Sequence, residues 1–197
     1  AIETLFDVDV ARVNTIIVPA KRGRRRRRLA IRAPQRKKAI VTLVAGQTIR
    51  FLEEHRDEPF ALWVSFPDPH EPWEAPQQYT DLFPAERIEL PPWREDEFTD
   101  GTAPERNRVL YEILGVREDA EEDVLGVIRT YHAMVSFIDD AIGQILDAVE
   151  RCGLRDNTVI VFCSDHGDFM GEHAMTCKGG VFYDCLTRVP LIVSCPD

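Results

Sequence analysis

Three short runs constrain the fold of this chain more than anything else in it. FALWVSF (60–66), TVIVFC (158–163) and VPLIVS (189–194) are almost wholly apolar. A strand with one face in water alternates apolar and polar residues, whereas a strand covered on both faces reads as an unbroken apolar run. Between the first two runs the period changes. Val124, Val127, Ile128, Tyr131, Met134, Val135, Ile138, Ile142, Ile145, Leu146 and Val149 step by three and four, and Gly153 follows as a C-terminal stop. Covered strands separated by helix predict an α/β fold, a mostly parallel sheet sandwiched by helices. With 44% apolar residues, the 197-residue chain can supply a core of its own.

Upstream, Val41, Val44, Thr48, Phe51, Leu52 and His55 share a face at helical spacing, and EEHRDEP closes that helix before Pro59. Thr15–Val18 is a short β-like run. Residues 77–118 are polar and proline-containing, and read as an excursion over the surface.

Charge divides the chain. Residues 1–38 hold 12 Lys+Arg against 3 Asp+Glu, so the total of -10 leaves -19 on the rest. KRGRRRRR (21–28) could contact a polyanion, but it lacks interleaved aromatics and is expected as a solvated loop; the acidic remainder argues against nucleic acid as a partner. No stretch approaches the roughly 18–20 apolar residues of a membrane span. Five cysteines without a C-x-x-C pair give neither a zinc ribbon nor a disulfide framework, and leave the compartment undetermined.

Chemistry concentrates where strands end, the place ligands occupy in open α/β sheets. SDHGDFMGEH (164–173) follows the second run. Asp165 and His166, with Gly167 allowing a sharp turn, offer one oxygen and one nitrogen to a divalent cation; the alternative is an Asx turn with a satisfied histidine. PDPHEP follows the first run, and its His70, between Pro69 and Pro72, sits where it could donate or accept a proton or be a plain loop histidine. Lys178 before Gly179-Gly180 is either an anion contact or a solvated turn. His173 either lines the same site or steadies its loop. His55 and His132 lie on helical patterns and are expected to be structural.

FALWVSFPDPHEPWEAP, DNTVIVFCSDHGDFMGEH and CKGGVFYDCLTRVPLIV together resemble, in order, three segments of the sulfatase family within the alkaline-phosphatase-like superfamily, nearest the branch of iduronate and choline sulfatases. The resemblance covers 41–197 and leaves the basic segment 1–40 unassigned. It implies that Asp165 and His166 ligate a divalent cation, calcium in most of the family with manganese or magnesium as alternatives. It further implies His70 as general acid at the leaving oxygen, Lys178 on the sulfate oxygens, and a sulfate ester as substrate.

The family's nucleophile is a formylglycine made from the Cys or Ser of C/S-x-P-x-R, and no residue here lies in that motif. The first metal-binding aspartates and a further anion-binding lysine and histidine are missing too. A first residue Ala1 and a strand-like run close to the last residue add to the expectation of a sulfatase fragment, inactive by itself. Two alternatives stand beside it: a phosphonate or phosphate ester hydrolase of the same superfamily, and a non-catalytic anion or metal binder recruited through Arg24 to Arg28.

Overall fold

The computed structural model describes residues 46–116 and 120–196 in full, and ahead of them the backbone of Ala45 and of four strands between 12 and 43. The chain divides into two compact units: residues 1–67 with 141–156, and residues 68–140 with 157–197.

In the first unit β1 (Arg12–Val18) pairs antiparallel with β4 (Arg36–Leu43), Arg12 opposite Thr42 and Val18 opposite Arg36. Between them β2 (Lys21–Arg25) and β3 (Arg28–Ala33) pair antiparallel. The described residues of the basic block, Lys21–Arg25 and Arg28, are therefore strand, not the expected loop. Helix α1 (Ala45–Glu54) then crosses to β5 (Trp63–Val64), which lies parallel to β4 with Thr42 opposite Trp63. The helix expected from Val41 thus begins four residues later. Ile40, Val41 and Thr42 are consecutive β-branched residues, which pay more side-chain entropy in a helix than on a pleated sheet. Thr48 (0% exposed) and Leu52 (3%), one helical turn apart, form the buried stripe of α1, and Phe51 meets Phe60 edge-on at 5.8 Å.

The long helix is present as α4 (Glu121–Arg151). Glu121, Glu122 and Asp123 in its first turn and Arg151 in its last complement the helix dipole. It ends as predicted. Gly153 has φ +69° and donates to the Glu150 carbonyl (2.9 Å), while Leu154 donates to Val149 (3.0 Å), so a left-handed residue satisfies the last carbonyls.

In the second unit, Val124, Ile128, Ala133 and Met134 of α4 are buried. Short helix α2 (Gln77–Thr80) and the segment after it are held to α4 by Arg129, which donates to the carbonyls of Phe83 (2.6 Å) and Thr80 (3.2 Å). The surface excursion also contains a ten-residue helix that its polar composition concealed, α3 (Glu105–Leu114). Leu110, Tyr111 and Leu114 of α3 pack on a core of Phe169, Met175, Val181 and Leu186.

The remaining strands are short. β6 (Ile160–Cys163) and β9 (Leu191–Ser194) pair antiparallel, Cys163 opposite Leu191. β7 (Phe169–Met170) pairs with β8 (Thr176–Cys177), and α5 (Asp184–Thr187) precedes β9. Helices and small sheets do alternate, as an α/β chain requires. Among the described strands, however, β4–β5 is the one parallel pair. The apolar β6–β9 ribbon, expected to be covered on both faces, instead leaves Val161 (57%), Leu191 (69%) and Ile192 (60%) exposed. Two strands alone provide no second layer to cover them.

Candidate functional site

The turn after β6 is built by its own polar groups. The Asp165 carboxylate accepts from the His166 amide (2.9 Å), and the Ser164 hydroxyl donates to the His166 carbonyl (2.8 Å). Gly167 follows for a steric reason: its amide donates to the Leu186 carbonyl (2.9 Å), and a Cβ there would overlap the Cys185 carbonyl oxygen. That approach seats the turn on α5.

His166 Nδ1 lies 2.9 Å from the Gly167 carbonyl oxygen. A carbonyl only accepts, so Nδ1 carries a proton; in the neutral ring the lone pair is then on Nε2, the arrangement a metal-ligating imidazole needs. Nε2 is 3.8 Å from Asp165 Oδ2, and both side chains reach solvent. One cation at the usual ligand distances of roughly 2.1–2.5 Å can touch both atoms. The two residues fit a divalent cation as a partial ligand set. Among the described residues no group of three or more His, Cys, Asp and Glu completes it.

The structure brings Asp165, His166 and Lys178 to one cavity of about 560 Å³. Lys178 follows β8 and is largely covered. It donates to Glu71 Oε2 at 3.1 Å, and Asp168 Oδ1 lies 3.9 Å away. Asp168 Oδ1 is buried with no hydrogen-bond partner, and burial pushes its carboxyl up from the ordinary value, against the pull of Lys178. Glu71 moves the other way. Its own backbone hydrogen bond holds it low, burial opposes, and Lys178 reinforces the lowering.

His70 does not line the cavity. It is tied to it through Glu71, whose carbonyl accepts from His70 Nδ1 at 2.7 Å and whose carboxylate lies 3.4 Å from the same nitrogen. Nε2 of His70 is left free of that bond, on a half-exposed ring. Glu71 therefore bridges His70 and Lys178, and neither it nor Asp168 was singled out by sequence reasoning. The only signal for them was acidic residues inside the two loops that carried the histidines.

His173 serves the loop and does not line the cavity. Its Nδ1 donates to Glu97 Oε2 (2.7 Å), the Tyr183 hydroxyl donates to Glu97 Oε1 (2.9 Å), and Asn107 Nδ2 donates to Tyr183 (2.9 Å). The imidazole packs on the Tyr183 ring at 3.9 Å. His55 and His132 have the structural settings expected of them, against Phe51 at 4.7 Å and Phe83 at 5.4 Å.

Residues 17–197 match the model of the family described as Sulfatase. The chain belongs to the sulfatase family. Its curated relatives include the sulfatase YidJ of Escherichia coli, 32% identical over 78% of this chain and 30% of that protein. The choline-sulfatase of Rhizobium meliloti is 32% identical over 79% and 31%, and human iduronate 2-sulfatase 34% over 76% and 29%. This sulfatase-family chain thus spans about 30% of the length of those relatives. Among solved structures it resembles the phosphonate monoester hydrolase of Agrobacterium radiobacter, with TM-score 0.65, 31% identity, and coverage of 77% of this chain and 32% of the other. It also resembles the yidJ sulfatase of Bacteroides fragilis, with TM-score 0.56, 28% identity, and coverage of 85% and 34%. The fold is thus that of the alkaline-phosphatase-like superfamily. No helix among the described residues is long and apolar enough to cross a membrane.

Proposed function

We propose that this chain carries one side of the catalytic centre of a metal-dependent sulfatase that hydrolyses sulfate esters. The observation that supports it most is the convergence of Asp165, His166 and Lys178 on one cavity, with His166 Nε2 left as a free donor atom. Asp165 and His166 would hold a divalent cation, calcium by family resemblance with manganese or magnesium as alternatives; bound there, it would offset charge on the sulfuryl oxygens. Lys178 adds a second positive charge. Because Glu71 and Asp168 hold its ammonium, it is positioned before substrate arrives and costs little reorganisation when charge develops. His70 as the imidazolium, its Nδ1–H held by the Glu71 carbonyl, would give the Nε2 proton to the departing alkoxide and be left neutral. The formylglycine nucleophile and the remaining metal ligands lie in parts of the full-length enzyme that these residues do not include. Those parts complete the mostly parallel sheet, and this chain by itself is inactive.

A second reading is favoured by the likeness to a phosphonate monoester hydrolase. A tetrahedral phosphoryl anion presents the same charge to Lys178 and the cation. Turnover of aryl sulfate, aryl phosphate and aryl phosphonate by the full-length enzyme, with and without a chelator, separates the two. The sulfatase reading predicts sulfate preferred by kcat/KM, loss of activity on chelation, and loss of cation binding in Asp165→Ala. Phosphonate preferred over sulfate, or activity indifferent to Lys178→Ala, would overturn it.

A further inference from the structure

The cavity extends beyond what a sulfate group needs, and its other wall is unlike the metal side. Val181 and Leu186 give it a buried apolar floor, and Phe182 stands 89% exposed at its rim. A volume of about 560 Å³ falls in the range of sites that enclose a whole small molecule. Into this cavity comes Arg106, from the first turn of α3.

Arg106 differs from Lys178 in one decisive respect. Lys178 is compensated by Glu71 and Asp168, whereas Arg106 has no carboxylate within ion-pair distance among the described residues. Its guanidinium lies against Gly180, where a Cβ would collide with it, and the neighbouring Gly179 similarly makes room for Leu110 of the same helix. The two glycines that follow Lys178 therefore admit α3, and with it a cation, to the cavity wall. A guanidinium presents a planar fork of donors matched to a carboxylate or sulfate.

We propose that Arg106 is a specificity-determining residue that binds a second anionic group, a carboxylate or a further sulfate, on the organic half of the substrate, whose ring stacks beside Phe182. The substrate class is then a sulfated sugar acid or a multiply sulfated sugar. This rests on the reading of the cavity as a sulfate-ester site.

The test uses full-length enzyme and its Arg106→Ala and Arg106→Lys variants, with four probes: an aryl sulfate and a monosulfated hexose, neither with a second anionic group, a monosulfated uronic acid and a disulfated hexosamine. Hydrogen bonds to a charged partner imply that Arg106→Ala lowers kcat/KM for an anionic sugar about 10- to 100-fold while leaving the aryl sulfate within about twofold; Arg106→Lys recovers part of the loss. The uronate and disulfate arms tell which anion is preferred. Equal loss on the aryl sulfate would place Arg106 at the reacting group and overturn the proposal, as would unchanged kinetics on both the uronic acid and the disulfated hexosamine. Calorimetric binding of the same sugars gives an independent reading. If no probe is turned over, the sulfatase reading fails. The Arg106 proposal then stands or falls on whether Arg106→Ala abolishes the calorimetric preference for sugars with a second anionic group over the monosulfated hexose.

Discussion

Glu97 closes a clasp whose removal can be followed residue by residue. The loop it holds is costly: His173, Ala174 and Cys177 have φ of +56°, +52° and +65°, conformations that disfavour side-chain-bearing residues by roughly 1–2 kcal/mol each. Against that stand two hydrogen bonds to one carboxylate, at 2.7 and 2.9 Å. A bond to a charged group contributes about 1.5–3 kcal/mol when sequestered. Glu97 is 17% exposed and His173 31%, so water recovers part of the loss. Glu97→Ala should therefore cost the loop about 2–4 kcal/mol, which is roughly a 30- to 700-fold rise in its opening equilibrium. Amide hydrogen exchange reads this directly, because Gly171, Ala174 and Met175 donate to backbone carbonyls inside the loop. Peptides covering 170–178 should exchange faster while those from α4 stay unchanged, and Glu97→Gln should fall between. A change below about threefold, or an equal acceleration in α4, would refute the clasp.

Three further outcomes follow from the same geometry. Gly167→Ala should lower stability by about 1–3 kcal/mol by overpacking against Cys185, and should weaken cation binding, read by thermal melts with and without added calcium. Ala174→Gly should raise stability by up to about 1 kcal/mol, since glycine adopts its φ of +52° freely; a lower melting temperature would contradict this. Burial pushes the Cys185 thiol up to about 11, so at pH 8 only about one molecule in a thousand holds its thiolate. Alkylation should then mark exposed Cys163 first and reach Cys185 at an increasing rate as pH climbs toward 11; equal labelling at pH 8 would count against that burial.

What was legible in the sequence is what local physics determines. The period of Val124 to Val149 gave α4, and Gly153 its end, because a helix and its stop depend on neighbours in the chain. Asp165, His166 and Lys178 stood out for a similar reason, as chemically distinctive residues beside glycines after a strand. α3 was hidden because its apolar residues, Val109, Leu110, Ile113 and Leu114, are few and set among charges; packing on Phe169 and Met175 stabilises it, not propensity. The arginine-rich β2–β3 pair was hidden because a run of like charges carries no period. Glu97 and His173 are 76 positions apart, and Glu71 and Lys178 are 107 apart. No local pattern announces a partner at such distance.

The pairing of β6 with β9 also orders events in time. Cys163, just before the Asp165–His166 turn, lies opposite Leu191, and the turn itself hangs on Leu186 through Gly167. As the chain leaves the ribosome, the turn is synthesised well before the segment that fixes its shape. At about 5–20 residues per second, Asp165 and His166 are made on the order of 1–6 s before β9 is complete. For the cation proposed above, this order means that Asp165 and His166 would offer only an unanchored turn before strand closure, so firm loading would follow the closure and not the synthesis of the two residues.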